Sequence, residues 1–596
     1  MDKTVLDEPP KTRRRGAPAG KFLTHYWAEA IVVVVSLLLW APRLSGPIDL
    51  RWDGAVYYML GTSLATGQGY RILSEPRSPE ALQYPPLLPA VVAMYQRFLG
   101  TSDPKVVAPW LRISYAALFL TYGLAVFALA KRYLRRFAVL AVALCLFQIQ
   151  TVFISDLLFA ELPLALVSVA FALFILDRSI TSRPWLREMI SFALATAGFL
   201  LRTVGVVLLA AWVLEALTRR RWRLAIGRSV LALIPIVAWQ AHVSWARGSY
   251  EYKHPAYEYQ RAPYQYYNVS YVENVLLMNP FRPELGGLDT RGLAMRLTTN
   301  LSAVTAAVGE AVSTRAGYWH DFLKDALHHL GSRALVQRFV RFIPIYALTA
   351  IVLVGLVILA CRRNWLLAFI VLGSLGLVWV TPWPGQFARY LMPLSPFLTL
   401  CAVLPLASTF ESSLSMRQRW AIVFARVFFA SALALAFAAE GYALLKAFRQ
   451  RGKREAIVIP EAGGTSYRLF YHDSSWQAWE KAADWIGTHA RSEAIVATTA
   501  PHFFYLRTGL RAVLPPMEPN PERAQQLLEG VPVSYVIVDE LEFLDLSRRY
   551  ARPAVKNHPT SWQLMYSTRP RHRPWWIKPA DFVYGTQIFQ RVTDTQ

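Results

Sequence analysis

Residues 189–217 read MISFALATAGFLLRTVGVVLLAAWVLEAL, a single apolar run interrupted by Arg202. As one helix this run would be about 43 Å long at 1.5 Å per residue, too long for hydrocarbon about 30 Å thick without strong tilt. As a hairpin each half is short, and Arg202 falls near the turn. Charge separates the two. A hairpin keeps the basic stretches 178–187 and 219–228 on one side of a membrane, whereas a single span exports one of them. The hairpin is predicted, and it sets the orientation of everything around it.

Working outward, the chain is 54% hydrophobic and 13% aromatic over 596 residues, too apolar for an ordinary soluble protein of several domains. The apolar residues come in blocks at 30–41, 116–130, 137–154, 157–176, 231–243, 343–361, 365–380, 398–406 and 421–445. A helix needs roughly 20 apolar residues to span the hydrocarbon, so the shorter blocks must borrow flanking residues. The predicted fold class is an all-α polytopic membrane protein of about eleven transmembrane helices, by hydropathy counting.

The net charge of +24 raises the question of nucleic acid. Its placement argues for topology instead. Lys11, Arg13, Arg14, Arg15 and Lys21 precede the first block, and Lys131, Arg132, Arg135 and Arg136 follow the second. Arg219, Arg220, Arg221, Arg223 and Arg228 form a further cluster, while Arg362, Arg363, Arg417 and Arg419 lie in short connectors. Such positions carry positive-inside bias. A cytoplasmic N-terminal tail (1–26) is expected, with a first span that anchors rather than a cleaved signal. The transmembrane domain is then 27–445, with outer loops at about 45–109 and 247–342, and the tail 446–596 is extracytoplasmic. Cys145, Cys361 and Cys401 lie in or at the ends of apolar blocks, so no disulfide framework or cysteine metal site is expected.

The tail reads as a small α/β domain. Ser474-Ser475-Trp476-Gln477 fits a capping box, with Trp476, Trp479, Ala483 and Ile486 on one helical face and Gly487 as a stop. Residues 494–498 and 535–538 look like buried strands, and Asn520-Pro521 opens a helix ending at Gly530. No hydrolase elbow, phosphate loop or paired metal ligands occur in it, so packing or acceptor binding is expected rather than catalysis.

On this topology Asp53, Asp156, Glu161, Arg202 and Arg389-Tyr390 all fall on the outer side. A carboxylate at the edge of hydrocarbon is poorly solvated and needs a reason to be there. Asp53 is the candidate general base; capping a helix or pairing with Arg51 is its structural alternative. Arg202 and Arg389, with Tyr390, are candidates for a phosphate, because a guanidinium fork matches phosphate oxygens; snorkelling is the alternative. The tyrosines from Tyr250 to Tyr271, Tyr266 and Tyr267 among them, serve as interfacial anchors or stack on sugar rings.

Asp53, Tyr57, Gly61, Gly67-Gln68-Gly69-Tyr70 and Tyr84-Pro85-Pro86-Leu87-Leu88-Pro89 resemble the first outer loop of the C-type glycosyltransferases that use lipid-phosphate sugars. The resemblance continues through Ser155-Asp156, Glu161-Leu162-Pro163, Leu201-Arg202-Thr203 and Arg389-Tyr390-Leu391-Met392-Pro393, reaching about Ser408. Within that superfamily it is nearest in look to bacterial lipopolysaccharide-core galacturonosyltransferases, and more distantly to aminoarabinose lipid A transferases and protein O-mannosyltransferases.

The resemblance implies interfacial helices in the first outer loop, a monosaccharide donor on polyprenyl phosphate and inverting transfer to an acceptor hydroxyl. The acceptor it implies is a lipid, glycan or protein, and the arginine-rich inner loops with no cysteine in the outer regions suit a bacterial inner membrane. The resemblance also implies that Asp156 or Glu161 orients the acceptor or supports the loop; which of them does so stays open. Tyr57, Tyr84 and Pro85 are placed in the substrate loop. No cofactor is expected, with a divalent metal as the alternative met in distant members such as oligosaccharyltransferases. A transporter or flippase of a lipid-linked saccharide is the competing function, although no internal repeat or paired broken helices support it.

Overall fold

A computed structural model describes residues 26–176, 183–326, 340–410, 416–455, 472, 474–541, 545–568 and 585–592. The N-terminal basic residues Lys11 to Lys21 and the start of the 178–187 stretch lie outside them, as do the side chains of Arg417 and Ser474.

The hairpin is present. Pro184–Leu201 and Val206–Thr218 are helices that pack on each other, joined by Arg202 in an extended conformation and a single turn at Thr203–Gly205. A Cβ on Gly205 would meet the carbonyl of Gly198 at 2.2 Å, so only glycine lets the turn close this tightly.

Among the described residues five helical stretches are long and apolar enough to cross a membrane: Pro104–Phe147, Trp222–Gly248, Phe342–Cys361, Pro384–Ser408 and Arg419–Arg449. Shorter apolar helices stand among them, including Glu161–Leu176, Thr203–Thr218 and Trp365–Val380. The 14-residue helix Trp27–Trp40 covers the first predicted block.

Two expectations change on contact with the structure. The block at 137–154 is broken at Gln148, whose ψ of 117° leaves the helical region between Ala138–Phe147 and Ile149–Ser155. The Gln148 amide is used elsewhere: Nε2 donates to Ala311 O at 2.5 Å, and Oε1 accepts from Thr151 and Ser395 hydroxyls. The block at 157–176 becomes helical only at Glu161, because Leu157 bridges Asp49 in parallel and Leu158 N donates to Asp49 O at 3.1 Å. The stretch predicted as the second outer loop contains a 21-residue helix, Thr290–Glu310, laid against Phe342–Cys361 and Trp365–Val380. Gly309 makes that contact possible, since a Cβ there would lie 2.1 Å from Ile345 O.

Helix starts and helix ends meet at one end of the bundle. Lys131 pairs with Glu29, Arg132 donates to Leu176 O, Tyr133 bonds Asn364, and Arg362 reaches Ser408. One end of the bundle therefore gathers the connectors rich in arginine and lysine. Each of these helices leads to the opposite end, where Glu161, Arg202 and Arg389 stand.

At that opposite end the segment predicted as the first outer loop forms two helices, Asp53–Ala65 and Leu87–Leu99, packed on each other through Gly61. The tail covers them. Its mixed sheet runs β2-β1-β3-β5-β4, with β1 Ile495–Ala497, β2 Arg511–Val513, β3 Val533–Val538, β4 Trp562–Ser567 and β5 Gln587–Arg591. β1 pairs in parallel with β2 and β3, whereas β5 is antiparallel to both β3 and β4. Trp476, Trp479, Ala483 and Ile486 are buried on one face of Ser474–His489, which runs past Gly487 rather than stopping there. Because this helix starts at Ser474 itself, the predicted capping position shifts out of register. Asn520 caps Pro521–Gly530 as expected.

The tail is docked, not tethered. Ala512 N donates to Ser74 O at 2.8 Å, Ser74 Oγ bonds His502 Nδ1 at 2.7 Å, and Tyr257 and Tyr259 of the second loop join the core beneath the sheet.

Candidate active site

Asp53 opens a 13-residue helix. The residue before it, Trp52, has φ of 55° and ψ of −129°. A left-handed bulky residue stores strain of about 1–3 kcal/mol and persists only where its surroundings enforce it. Those surroundings are specific. Arg51 is locked to Asp49 by a bidentate pair at 2.6–3.1 Å, whereas Asp53 pairs with Arg389. Asp49 in turn bridges the segment leading to Glu161. This short backbone bridge brings two distant parts of the chain together.

The result is a cluster of two carboxylates and two guanidiniums. Arg389 Nη2 bonds Asp53 Oδ2, and Arg389 Nε donates to Glu161 Oε1 at 2.6 Å. Arg202 Nη1 donates to the same Glu161 oxygen. Tyr267 OH donates to Asp53 Oδ1 at 2.9 Å. The Arg389 guanidinium lies 4.0 Å from the Phe159 ring centroid, and Arg202 lies 5.7 Å from that of Tyr390. Burial alone would push the Asp53 carboxyl up. The charges of Arg389 and Arg202, with hydrogen bonds from Arg389 and Tyr267, outweigh it and hold Asp53 below the usual carboxylate range.

Asp156 lies apart from this cluster. It is buried 3.4 Å from Arg112 and 3.8 Å from Arg43, and its backbone carbonyl receives Asp49 N. Of the two acids left open by the sequence, Glu161 stands with Asp53, while Asp156 braces the bridge beneath them.

Two cavities meet at the cluster. The larger, about 300 Å³, is lined by Glu161, Arg202, Thr203 and Tyr390 together with Val204, Val206, Leu377, Val378 and Val380. The smaller, about 80 Å³, is lined by Asp53, Tyr84, Pro85, Arg202, Tyr266, Tyr267, Trp383, Arg389 and Tyr390. Tyr57 is fully buried with its ring 4.8 Å from that of Tyr84, so it backs the site without lining either cavity. Every predicted site residue other than Asp156 and Tyr57 thus borders one of the two spaces.

Sequence reasoning missed His502. Its ring sits 4.8 Å from the Tyr267 ring, in a further pocket shared with Trp52, Tyr266, Trp476 and Phe503. Burial drives its imidazole down to about 3, so it is neutral in any physiological buffer. No local motif marks it; only docking of the tail brings it there. Among the described residues no group of three or more His, Cys, Asp and Glu is arranged to hold a metal ion.

No family model matches the chain, and no curated protein matches it. Among solved structures the chain is similar to the Archaeoglobus fulgidus oligosaccharyltransferase tethered with an acceptor peptide. Identity is 14%, 96% of this chain and 76% of that chain are covered, and the TM-score is 0.50. A further structure of that enzyme, in complex with Zn and sulfate, matches at 13% identity over 91% of this chain and 72% of that chain, with a TM-score of 0.49. ArnT from Cupriavidus metallidurans, bound to undecaprenyl phosphate, matches at 13% identity over 97% and 99%, with a TM-score of 0.46. The resemblance read from residues 53 to 408 therefore extends to the fold, which this chain shares with the archaeal oligosaccharyltransferase.

Proposed function

We propose that the protein is a membrane glycosyltransferase that moves a monosaccharide from a polyprenyl-phosphate donor to an acceptor hydroxyl on the extracytoplasmic side. The observation that carries this reading is the meeting of a cavity lined by valines and a leucine with a smaller one lined by tyrosines, at Asp53, Glu161, Arg202 and Arg389. An isoprenoid chain suits the valine- and leucine-lined cavity. Its phosphate then reaches Arg202 and Arg389, whose forks match phosphate oxygens. The sugar carbon bonded to that phosphate lies toward the chamber lined by Asp53 and its tyrosines.

The reaction balances with these residues. The acceptor oxygen attacks the anomeric carbon, the carbon–oxygen bond to phosphate breaks, and the hydroxyl proton passes to Asp53. The polyprenyl phosphate departs with the electron pair, its added charge met by the arginines. Attack opposite the leaving group inverts the anomeric centre. In the resting site Arg389 makes Asp53 a weak base. A donor phosphate that competes for the guanidiniums strengthens that base at the moment it is needed.

The segregation of arginine-rich connectors to the far end of the bundle supports an outward-facing site, a cytoplasmic N-terminus and a tail outside an inner membrane. About eleven spans fit that arrangement on hydropathy grounds. Because guanidiniums already occupy both carboxylates, we assign neutralisation of the phosphate to the chain itself rather than to a divalent ion.

The test uses radiolabelled polyprenyl-phosphate sugar with purified protein in liposomes and an extract of cell-envelope acceptors. Label appearing covalently on an acceptor supports transfer. Label that only changes leaflet, with the donor intact, favours the transporter reading.

A further inference from the structure

We infer that the pocket formed where the tail's sheet meets Trp52 grips one edge of an acceptor sugar, with His502 as its hydrogen-bonding group. This rests on the transfer reading above and concerns where, and by what chemistry, the acceptor is held. The pocket lies at a reversal in the winding of the tail. From β1 the chain passes through the helix Pro501–Thr508 to β2 on one side, then through Pro521–Gly530 to β3 on the other. In open α/β sheets ligands bind at such a reversal, beyond the carboxyl ends of the strands. Thr499, His502 and Leu541, which follow β1 and β3, line the pocket there. The Thr499 hydroxyl donates to Asp539 at 2.6 Å and ties the two strand ends together.

The lining selects the ligand. Trp52, Tyr266, Tyr267, Trp476 and Phe503 supply aromatic surface that suits the C–H groups of a pyranose. No lining side chain is ionised, because burial keeps the His502 imidazole neutral. A phosphate or a charged peptide side chain finds no counter-charge here, whereas a sugar hydroxyl needs none. His502 Nδ1 is taken by Ser74 Oγ, while Nε2 makes no hydrogen bond among the described residues and is not sealed from solvent. That nitrogen is left for a hydroxyl. The space, about 40 Å³, takes a few water-sized groups, enough for one edge of a ring and too little for a lipid chain. Tyr266 and Tyr267 line both this pocket and the chamber that holds Asp53. One pair of tyrosines therefore separates the gripped sugar from the base, and the next hydroxyl along the glycan enters the chamber.

The experiment uses full-length protein in liposomes, labelled polyprenyl-phosphate sugar and two acceptor fractions: envelope glycans stripped of lipid, and peptides digested from envelope proteins. Label is expected on the glycans. His502→Asn keeps a nitrogen near Nδ1 for Ser74 and removes Nε2. It is expected to raise the apparent KM for glycan about tenfold, the size of one lost hydrogen bond, with donor binding unmoved. His502→Gln keeps a nitrogen near Nε2 and is expected to raise it less. An unmoved KM in His502→Asn, or the reverse order of the two variants, would assign His502 to docking alone and overturn the inference while the transfer reading stands. Label on peptides at an equal or greater level does the same. If the variants fold poorly, wild-type protein decides. Glycan should slow diethyl pyrocarbonate modification at His502 but not at the exposed His489; equal rates with and without glycan, or no reaction at His502, contradict the assignment. Label on neither fraction removes the transfer reading and this inference with it.

Discussion

Asp53 is held by Arg389 on one oxygen and Tyr267 on the other, and both interactions favour its ionised form. In the proposed role of general base Asp53 works only when ionised, so activity is expected to be lost as pH falls through its folded value. Tyr267→Phe removes one stabilising hydrogen bond and raises that value. The acid limb of the pH–rate profile is expected to move to higher pH, with little change on the alkaline side; an unmoved limb would show that Tyr267 does not act on Asp53. Arg389→Gln is expected to weaken donor binding tenfold or more, and also to destabilise the fold, because removing one partner of a buried ion pair costs about 3–5 kcal/mol. Residues of this kind were legible in the sequence, since an ionised group beside an apolar block is conspicuous. His502 was not, because a histidine in the tail acquires meaning only through its contacts with Ser74 and Tyr267.

Hydrophobic blocks located the helices but not their interruptions. The break at Gln148 depends on carbonyls at Glu310 and Ala311, more than 160 positions away, which no local pattern reveals. The hairpin at 189–217 was legible because charge on both flanks and Arg202 at the centre admit one arrangement. Close helix contacts were legible only in hindsight. A Cβ on Gly355 would lie 1.8 Å from Cys401 O, so Phe342–Cys361 and Ser395–Ser408 meet through bare backbone. Gly355→Ala is expected to cost about 1–3 kcal/mol by overpacking and to lower the thermal midpoint in detergent while leaving donor binding per folded molecule intact. An unchanged midpoint would contradict this packing.

At the scale of the whole molecule, the loops around Ser74 and Tyr257 pack with the tail as one assembly over the bundle. Glu75 sits inside it, accepting from Tyr257 OH at 2.6 Å. Burial, only partly offset by hydrogen bonds from Tyr257, Asn268 and Gln260, raises its carboxyl from 4.5 to about 7. The folded state therefore favours neutral Glu75, and that contribution to stability is lost as pH rises through about 7. Thermal melting is expected to weaken across this range, and Glu75→Gln should flatten the dependence; a wild-type melt insensitive to pH there would contradict the linkage. Orientation is tested in a background lacking the three native cysteines. An impermeant maleimide should label Gln68→Cys on intact cells and Arg223→Cys only after permeabilisation, and the reverse pattern would place the site inside. Chelation of divalent ions by EDTA is expected to leave turnover unchanged; loss restored by a metal would reassign the phosphate contact.

Asp53→Asn provides the most direct measurement. Single-turnover transfer from a labelled polyprenyl-phosphate sugar, with donor binding measured on the same preparation, separates chemistry from affinity. Removal of a general base is expected to slow transfer by about 10²–10⁴-fold while the variant still binds donor. Transfer at the wild-type rate by well-folded, donor-bound Asp53→Asn would contradict the account.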